Sequence, residues 1–176
     1  MLGEYPMIDE MKLRIKPFEE LWKLQVEYTD KLKIWKGTMQ NLNPDDIEAD
    51  HKKMTSAATK LVGRFDGMKL TKPKEVADNM KKALFNFRSY LPIIRALCNP
   101  GLMDRHYKML GEVIFGGHDQ SFNPAEFTTE SLMTTHKCGE KKDNIEDISD
   151  KASKEHSNMK TMAKMEDDWI PLEFTC

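Results

Sequence analysis

Residues 89–110 read SYLPIIRALCNPGLMDRHYKML, and this stretch holds the densest apolar run of the chain, its single Asn-Pro-Gly and a compact Asp104-Arg105-His106-Tyr107 cluster. Pro92 lacks an amide proton and clashes with the preceding turn, so a helix arriving from upstream is expected to end there. Ile93, Ile94 and Leu97 then form a short apolar segment closed by Asn99. Asn99-Pro100 places a capping residue before a proline, which predicts a fourth helix running to about Ile114. Leu102, His106, Met109, Leu110 and Val113 form its expected inner face.

Three amphipathic helices are expected upstream. The first spans about Pro17 to Lys36, with an earlier turn from Ile8 and Pro17 in its opening turn. Phe18, Leu21, Trp22, Tyr28, Leu32 and Trp35 recur along it at helical spacing, and Gly37 stops it. The second starts at Asn43-Pro44-Asp45-Asp46, a cap followed by proline and two carboxylates suited to the helix dipole. Its stripe of Ile47, Met54, Ala58, Leu61 and Phe65, with His51 in the intervening slot, has heptad spacing and asks for a partner helix. Gly63 and Gly67 loosen its end. The third begins near Thr71-Lys72-Pro73 and carries Val76, Met80, Ala83, Leu84, Phe87, Tyr90 and Leu91.

Short connections and narrow stripes predict an antiparallel three-helix bundle over residues 1–98. A junction helix, a polar connection and a long C-terminal helix fill residues 99–176. Gly116-Gly117 ends the junction helix, and residues 116–143 read as the least structured part, where Asn123-Pro124-Ala125-Glu126 could begin a short helix. The last helix is expected from about Asp143 to Trp169, striped by Ile145, Ile148, Ala152, Met159, Met162, Met165 and Trp169 and ended by Pro171. Leu172-Glu173-Phe174 stops in mid-pattern, which gives the chain the look of a fragment. The expected fold is all-α: one elongated antiparallel bundle of about five to six helices, with helices of about 30 Å and a polar loop region before the last long helix.

A length of 176 residues fits a single domain with a real core. A charged fraction of 32% and a mean hydropathy of -0.64 suit long helices with one buried stripe. The 27 basic and 29 acidic side chains are interspersed, and a net charge of -2 gives no footprint for nucleic acid or an anionic membrane. No run approaches the roughly 18 apolar residues of a membrane span, and MLGEYPMIDEMK lacks the basic-then-apolar order of a signal peptide. Cys98, Cys138 and Cys176 are odd in number and widely spaced, as reduced thiols of an intracellular protein are.

Catalytic chemistry is not expected of this segment. Gly111, Gly116 and Gly117 lack the spacing and the Lys-Ser/Thr of a phosphate loop, so no nucleotide or other cofactor is expected. His118, His136 and Cys138 fit no zinc spacing, so no metal is expected either. Asp104, Arg105 and His106 are consecutive and point different ways on a helix. Arg105 is expected to bond carbonyls or a carboxylate at a helix junction, packed by His106 and Tyr107. His51 and His156 read as satisfied interhelical histidines, Cys98 as a small buried residue, and Cys138 as a loop thiol in a solvated 137–142 stretch. Most of the 13 methionines read as core filler.

Residues 91–110, LPIIRALCNPGLMDRHYKML, resemble the segment of the dynein heavy-chain linker (N-terminal region 2) in which Leu-Pro-x-Ile and Leu-x-Asn-Pro lead into an Arg-His-aromatic. Upstream, Phe18, Leu21-Trp22, Trp35 and Asp45-Asp46-Ile47-Glu48 follow the family's layout. Downstream, so do Ile145, Ile148, Ala152, Lys154-Glu155, Met159, Trp169 and Phe174. The Leu-Cys-Asn-Pro-Gly-Leu form is nearer to axonemal than to cytoplasmic heavy chains. Tyr107 departs from the family's Trp, and residues 128–142 are more polar than the family's helix. The resemblance implies a mechanical arm, without enzymatic activity of its own, lying across the AAA+ ring of the same heavy chain in a motor that moves along microtubules. It implies as partners that ring and other dynein subunits, with microtubules reached only through the rest of the chain, and a cytoskeletal location in a ciliary or flagellar axoneme. Asn99, Pro100, Gly101, Arg105, His106 and Tyr107, with the closing Trp169, would form a structural or interaction junction coupling the N-terminal bundle to the last helix. A free-standing helical scaffold or adaptor that binds another protein through its polar loop is the alternative.

Overall fold

The computed structural model describes residues 6–117 and 121–170. Among them the regular structure is helical: α1 (Pro6–Trp35), α2 (Pro44–Gly67), α3 (Thr71–Phe87), α4 (Leu91–Leu97), α5 (Asp104–Phe115), α6 (Thr129–Thr134) and α7 (Lys142–Trp169). Single 3-10 turns lie at Met39–Asn41 and Arg88–Tyr90. The all-α expectation holds. The chain divides into two compact units, Met1–Gly37 with Leu42–Leu91, and Thr38–Asn41 with Pro92–Cys176.

In the first unit, Asn43 Oδ1 accepts the Asp45 amide at 3.1 Å and Pro44 occupies the first turn of α2. The whole predicted α2 stripe, Ile47, His51, Met54, Ala58, Leu61 and Phe65, is buried. α1 runs antiparallel to it, as Glu20–Arg64 (2.5 Å), Glu27–Lys53 (3.1 Å) and Lys31–Asp50 (2.6 Å) pair in reversed order. α3 is antiparallel too, with Lys74 on Asp66 at one end and His51 on Leu84 at the other. Partly exposed ion pairs contribute at most about 1 kcal/mol each, so the apolar seam sets the register. At its closed end Trp35 stacks on Phe87 with ring centroids 5.0 Å apart, and His51 lies 6.3 Å from the same ring.

Two prolines act differently from expectation. α1 begins at Pro6, and Pro17 lies inside it rather than in its first turn. Its ring is buried one turn before the buried Leu21, so packing offsets the lost hydrogen bond. α3 ends at Phe87, and Pro92 sits in the opening turn of α4, where a missing amide costs nothing. Pro92 therefore starts a helix rather than breaking one. Trp22 and Val76 face outward, and Leu24 and Ala77 take the buried places instead.

In the second unit, α5 and α7 are antiparallel. Arg105 and His106 meet Glu155 at one end, and Lys141 Nζ donates to the Ile114 carbonyl at 2.8 Å at the other. α5 begins at Asp104 and not at Asn99-Pro100. Its buried face is His106, Leu110, Gly111 and Ile114, with Met109 exposed and Val113 half-buried. Gly116 ends it at φ 71, a left-handed cap whose amide donates to Glu112 O.

The polar connection has a core of its own. Phe122, Leu132 and Cys138 are buried, and Phe127 lies 5.0 Å from Phe115 and 5.6 Å from Phe122, with His136 edge-on to Phe115 and Phe127. Asn123 Oδ1 closes a turn on the Ala125 amide, while Thr128 and Ser131 cap α6 reciprocally. The 3-10 turn at Met39–Asn41 completes this core: Met39 is buried, its amide donates to Phe127 O at 3.2 Å, and Cys98 Sγ donates to its carbonyl at 3.5 Å. Cys138 is thus a core thiol rather than a loop one, and burial pushes both its pKa and that of Cys98 up to about 11.

Three methionines, Met39, Met54 and Met80, are buried, whereas Met7, Met11, Met68, Met109, Met159, Met162 and Met165 are exposed. The core-filler reading therefore fails for most of them. On α7 the stripe is covered only at Ile145, Ile148 and Ala152, and every residue from 157 to 170 is exposed.

His51 Nε2 donates to the Leu84 carbonyl at 2.8 Å inside the aromatic seam. Replacing it by Ala removes that bond and the ring packing on Trp35 and Phe87, so His51→Ala is expected to lower unfolding free energy by about 2–4 kcal/mol. Urea denaturation followed by tryptophan fluorescence measures the loss.

Candidate functional site at the turn between α4 and α5

Two residues after α4 the chain turns onto α7, and the side chain of Asn99 organises that turn. Its Oδ1 accepts the Gly101 amide at 2.9 Å, while the Asn99 carbonyl accepts the Leu102 amide at 3.2 Å. Its Nδ2 faces α7 and lies 2.9 Å from Ser149 O, 2.8 Å from Ser149 Oγ and 2.7 Å from Ser153 Oγ. Only a carboxamide supplies an acceptor and two donors on one short side chain.

Gly101 lets the two backbones approach. A Cβ there would lie 3.0 Å from Ala152 O and 3.1 Å from His156 Cβ, too close on the helix side. Pro100 is exposed beside it, and Leu102 is buried. At the next turn the Met103 amide donates to His106 Nδ1 at 3.1 Å, which leaves Nε2 to carry the proton and donate to Glu155 Oε2 at 3.0 Å. His106 thereby fills the position where a capping box ordinarily has Glu or Gln. Arg105 Nη2 binds the same Glu155 oxygen from the solvent side. Tyr107 is half-buried; its carbonyl accepts the Phe122 amide at 2.8 Å, and burial raises its phenol pKa.

Asn99, Gly101, Arg105 and His106 thus converge on one stretch of α7. Arg105 meets a carboxylate, as expected of it. Trp169 does not join them: it is 63% exposed and lies about 21 Å along α7 from Glu155. His118, Phe174 and Cys176 lie outside the described residues. Sequence reading missed Ser149 and Ser153, whose signal is a pair of small hydroxyls four apart on the face that carries Ala152. Among the described residues no cluster of three His, Cys, Asp or Glu side chains could hold a metal ion, and no helix is long and apolar enough to cross a membrane. The arrangement ties a turn to a long helix through the hydrogen bonds of Asn99 and the close approach at Gly101.

Residues 8–176 match the family described as dynein heavy chain, N-terminal region 2. The chain belongs to the dynein heavy chain family. Among relatives, mouse dynein axonemal heavy chain 3 is 28% identical over 174 residues, and the human protein of that name is 30% identical over 172. Mouse dynein axonemal heavy chain 1 is 24% identical over 179 residues. These alignments cover 97–98% of this chain and 4% of each relative. No solved structure matches. The turn described here is therefore a feature of a dynein heavy chain segment.

Asn99→Asp removes both donors and sets an acceptor against the Ser149 carbonyl, with only the Ser149 and Ser153 hydroxyls able to turn and donate to it, and should destabilise the second unit by about 1–3 kcal/mol. Gly101→Ala should cost about 1–3 kcal/mol through the clash with Ala152 O. Arg105→Ala, at an exposed pair, should cost less than about 1 kcal/mol. Urea midpoints of the three variants rank these effects, and an equal ranking of Arg105→Ala with Asn99→Asp would contradict the assignment.

Proposed function

We propose that this segment is part of the linker of a dynein heavy chain, a lever that carries ATP-driven changes of an AAA+ ring into microtubule-based movement in a ciliary or flagellar axoneme. The match of residues 8–176 to the family's N-terminal region 2 carries this reading, and the axonemal names of its relatives support the location. The ring of the same heavy chain and other dynein subunits are the proposed partners, with microtubules engaged only through the rest of the motor. The segment contributes stiffness rather than chemistry. α1 and α7 extend about 45 and 42 Å at 1.5 Å per residue.

In this reading Asn99, Pro100, Gly101, Arg105, His106 and Tyr107 form the junction that keeps α5 and α7 moving as one piece. Trp169, far along α7, is a contact point for another part of the motor. The test uses the full-length heavy chain carrying Asn99→Ala, assayed well below its melting temperature. Microtubule gliding should slow by about tenfold while ATP turnover stays within about twofold, because the ring cycles and the arm yields. Unchanged gliding, or an equal fall in both, would remove the lever role.

A further inference from the structure

We propose that the groove between α2 and α3 is a docking site for an acidic protein segment carrying aliphatic or aromatic side chains. The groove has a volume of about 630 Å³ and is walled by Lys52 and Lys60 from α2, by Phe85 from α3 and by Arg88 from the 3-10 turn that follows it. Phe85 is 68% exposed, the most open phenylalanine among the described residues of the first unit.

Ion pairing separates this groove from its neighbour. On the α1 side of α2, Lys53 pairs with Glu27, Arg64 with Glu20 and Lys23 with Glu19, and Lys60 borders that groove as well. On the α3 side, the side chains of Lys52, Lys60 and Arg88 make no ion pair or hydrogen bond among the described residues. One carboxylate, Glu48, also lines the groove and has an interaction of its own. Beneath them, Thr55 Oγ1 is buried without a hydrogen-bond partner, the one such side-chain atom among the described residues. Three unpaired cations and an open aromatic ring in one trough complement a guest with carboxylates flanking an apolar side chain.

The length of the groove and its mixed character set the class of guest. From Glu48 to Lys60 it follows α2 for about 18 Å, the length of a helix of about 12 residues. A nucleic acid or polyphosphate would ask for more cations and no apolar wall, and the chain's net charge is -2. The groove stands on the first unit alone and does not depend on the lever reading.

The probe is a fluorescein-labelled helical peptide of about 12 residues, Glu-rich with Leu at four-residue spacing, titrated with the 176-residue chain by fluorescence anisotropy. Micromolar binding at low salt is expected, weakening about tenfold for Lys52→Glu and for Arg88→Glu, and about fivefold for Phe85→Ser. Circular dichroism melts of the variants exclude unfolding, since all three side chains are exposed. A Gln-for-Glu peptide should bind at least tenfold more weakly. Equal binding of the Gln peptide, binding unaffected by the substitutions, or stronger competition by heparin than by unlabelled peptide would each overturn the proposal.

Discussion

The second unit depends on what a single carboxamide can do in two directions at once. Asn99 holds its own turn through Oδ1 and grips α7 through Nδ2, where one NH2 group meets three oxygens of Ser149 and Ser153. Those hydrogen bonds have direction, whereas the apolar contacts around Leu97, Leu102 and Leu110 do not. They therefore decide which turn of α7 the chain meets. Gly101 is the steric partner of that choice, because a methyl group there would run into the Ala152 carbonyl. A half-buried polar contact of this kind leaves donors unsatisfied when only half-made, which favours one geometry for the turn.

The parts of the fold legible in the sequence are those whose signals are local. The cap at Asn43-Pro44 and the stripe of α2 act within a few residues of one another, and the structure buries every stripe position. Prolines were harder, since the same ring ends a helix or begins one depending on whether its missing amide falls in a first turn, and Pro92 falls there. Asn99-Pro100 was legible as punctuation but not as a tether, because the partners of Asn99 lie fifty residues away on α7. The core around Phe115, Phe122, Phe127 and His136 follows neither a helical nor a strand period, so a pattern search reads the segment as polar and loose. Periodicity also reveals which side of a helix is apolar and not whether anything covers it. Met159, Met162 and Met165 keep helical spacing and remain exposed.

Charge plays two roles in the first unit. Between α1 and α2 it is paired and adds little to stability, since the pairs are solvated. Between α2 and α3, Lys74 pairs with Asp66 at one end, while Lys52, Lys60 and Arg88 make no ion pair among the described residues and lie beside an exposed Phe85. The aromatic seam of Trp35, His51 and Phe87 supplies the rigidity instead.

Native-state hydrogen exchange of the turn amides tests most directly whether the turn and α7 behave as one body. If Asn99 tethers them, the Gly101 and Leu102 amides open with the same free energy as those of Ile148 and Ala152, within about 1 kcal/mol. Exchange of the two turn amides at nearly the rate of an unprotected loop, with α7 still protected, would contradict the account.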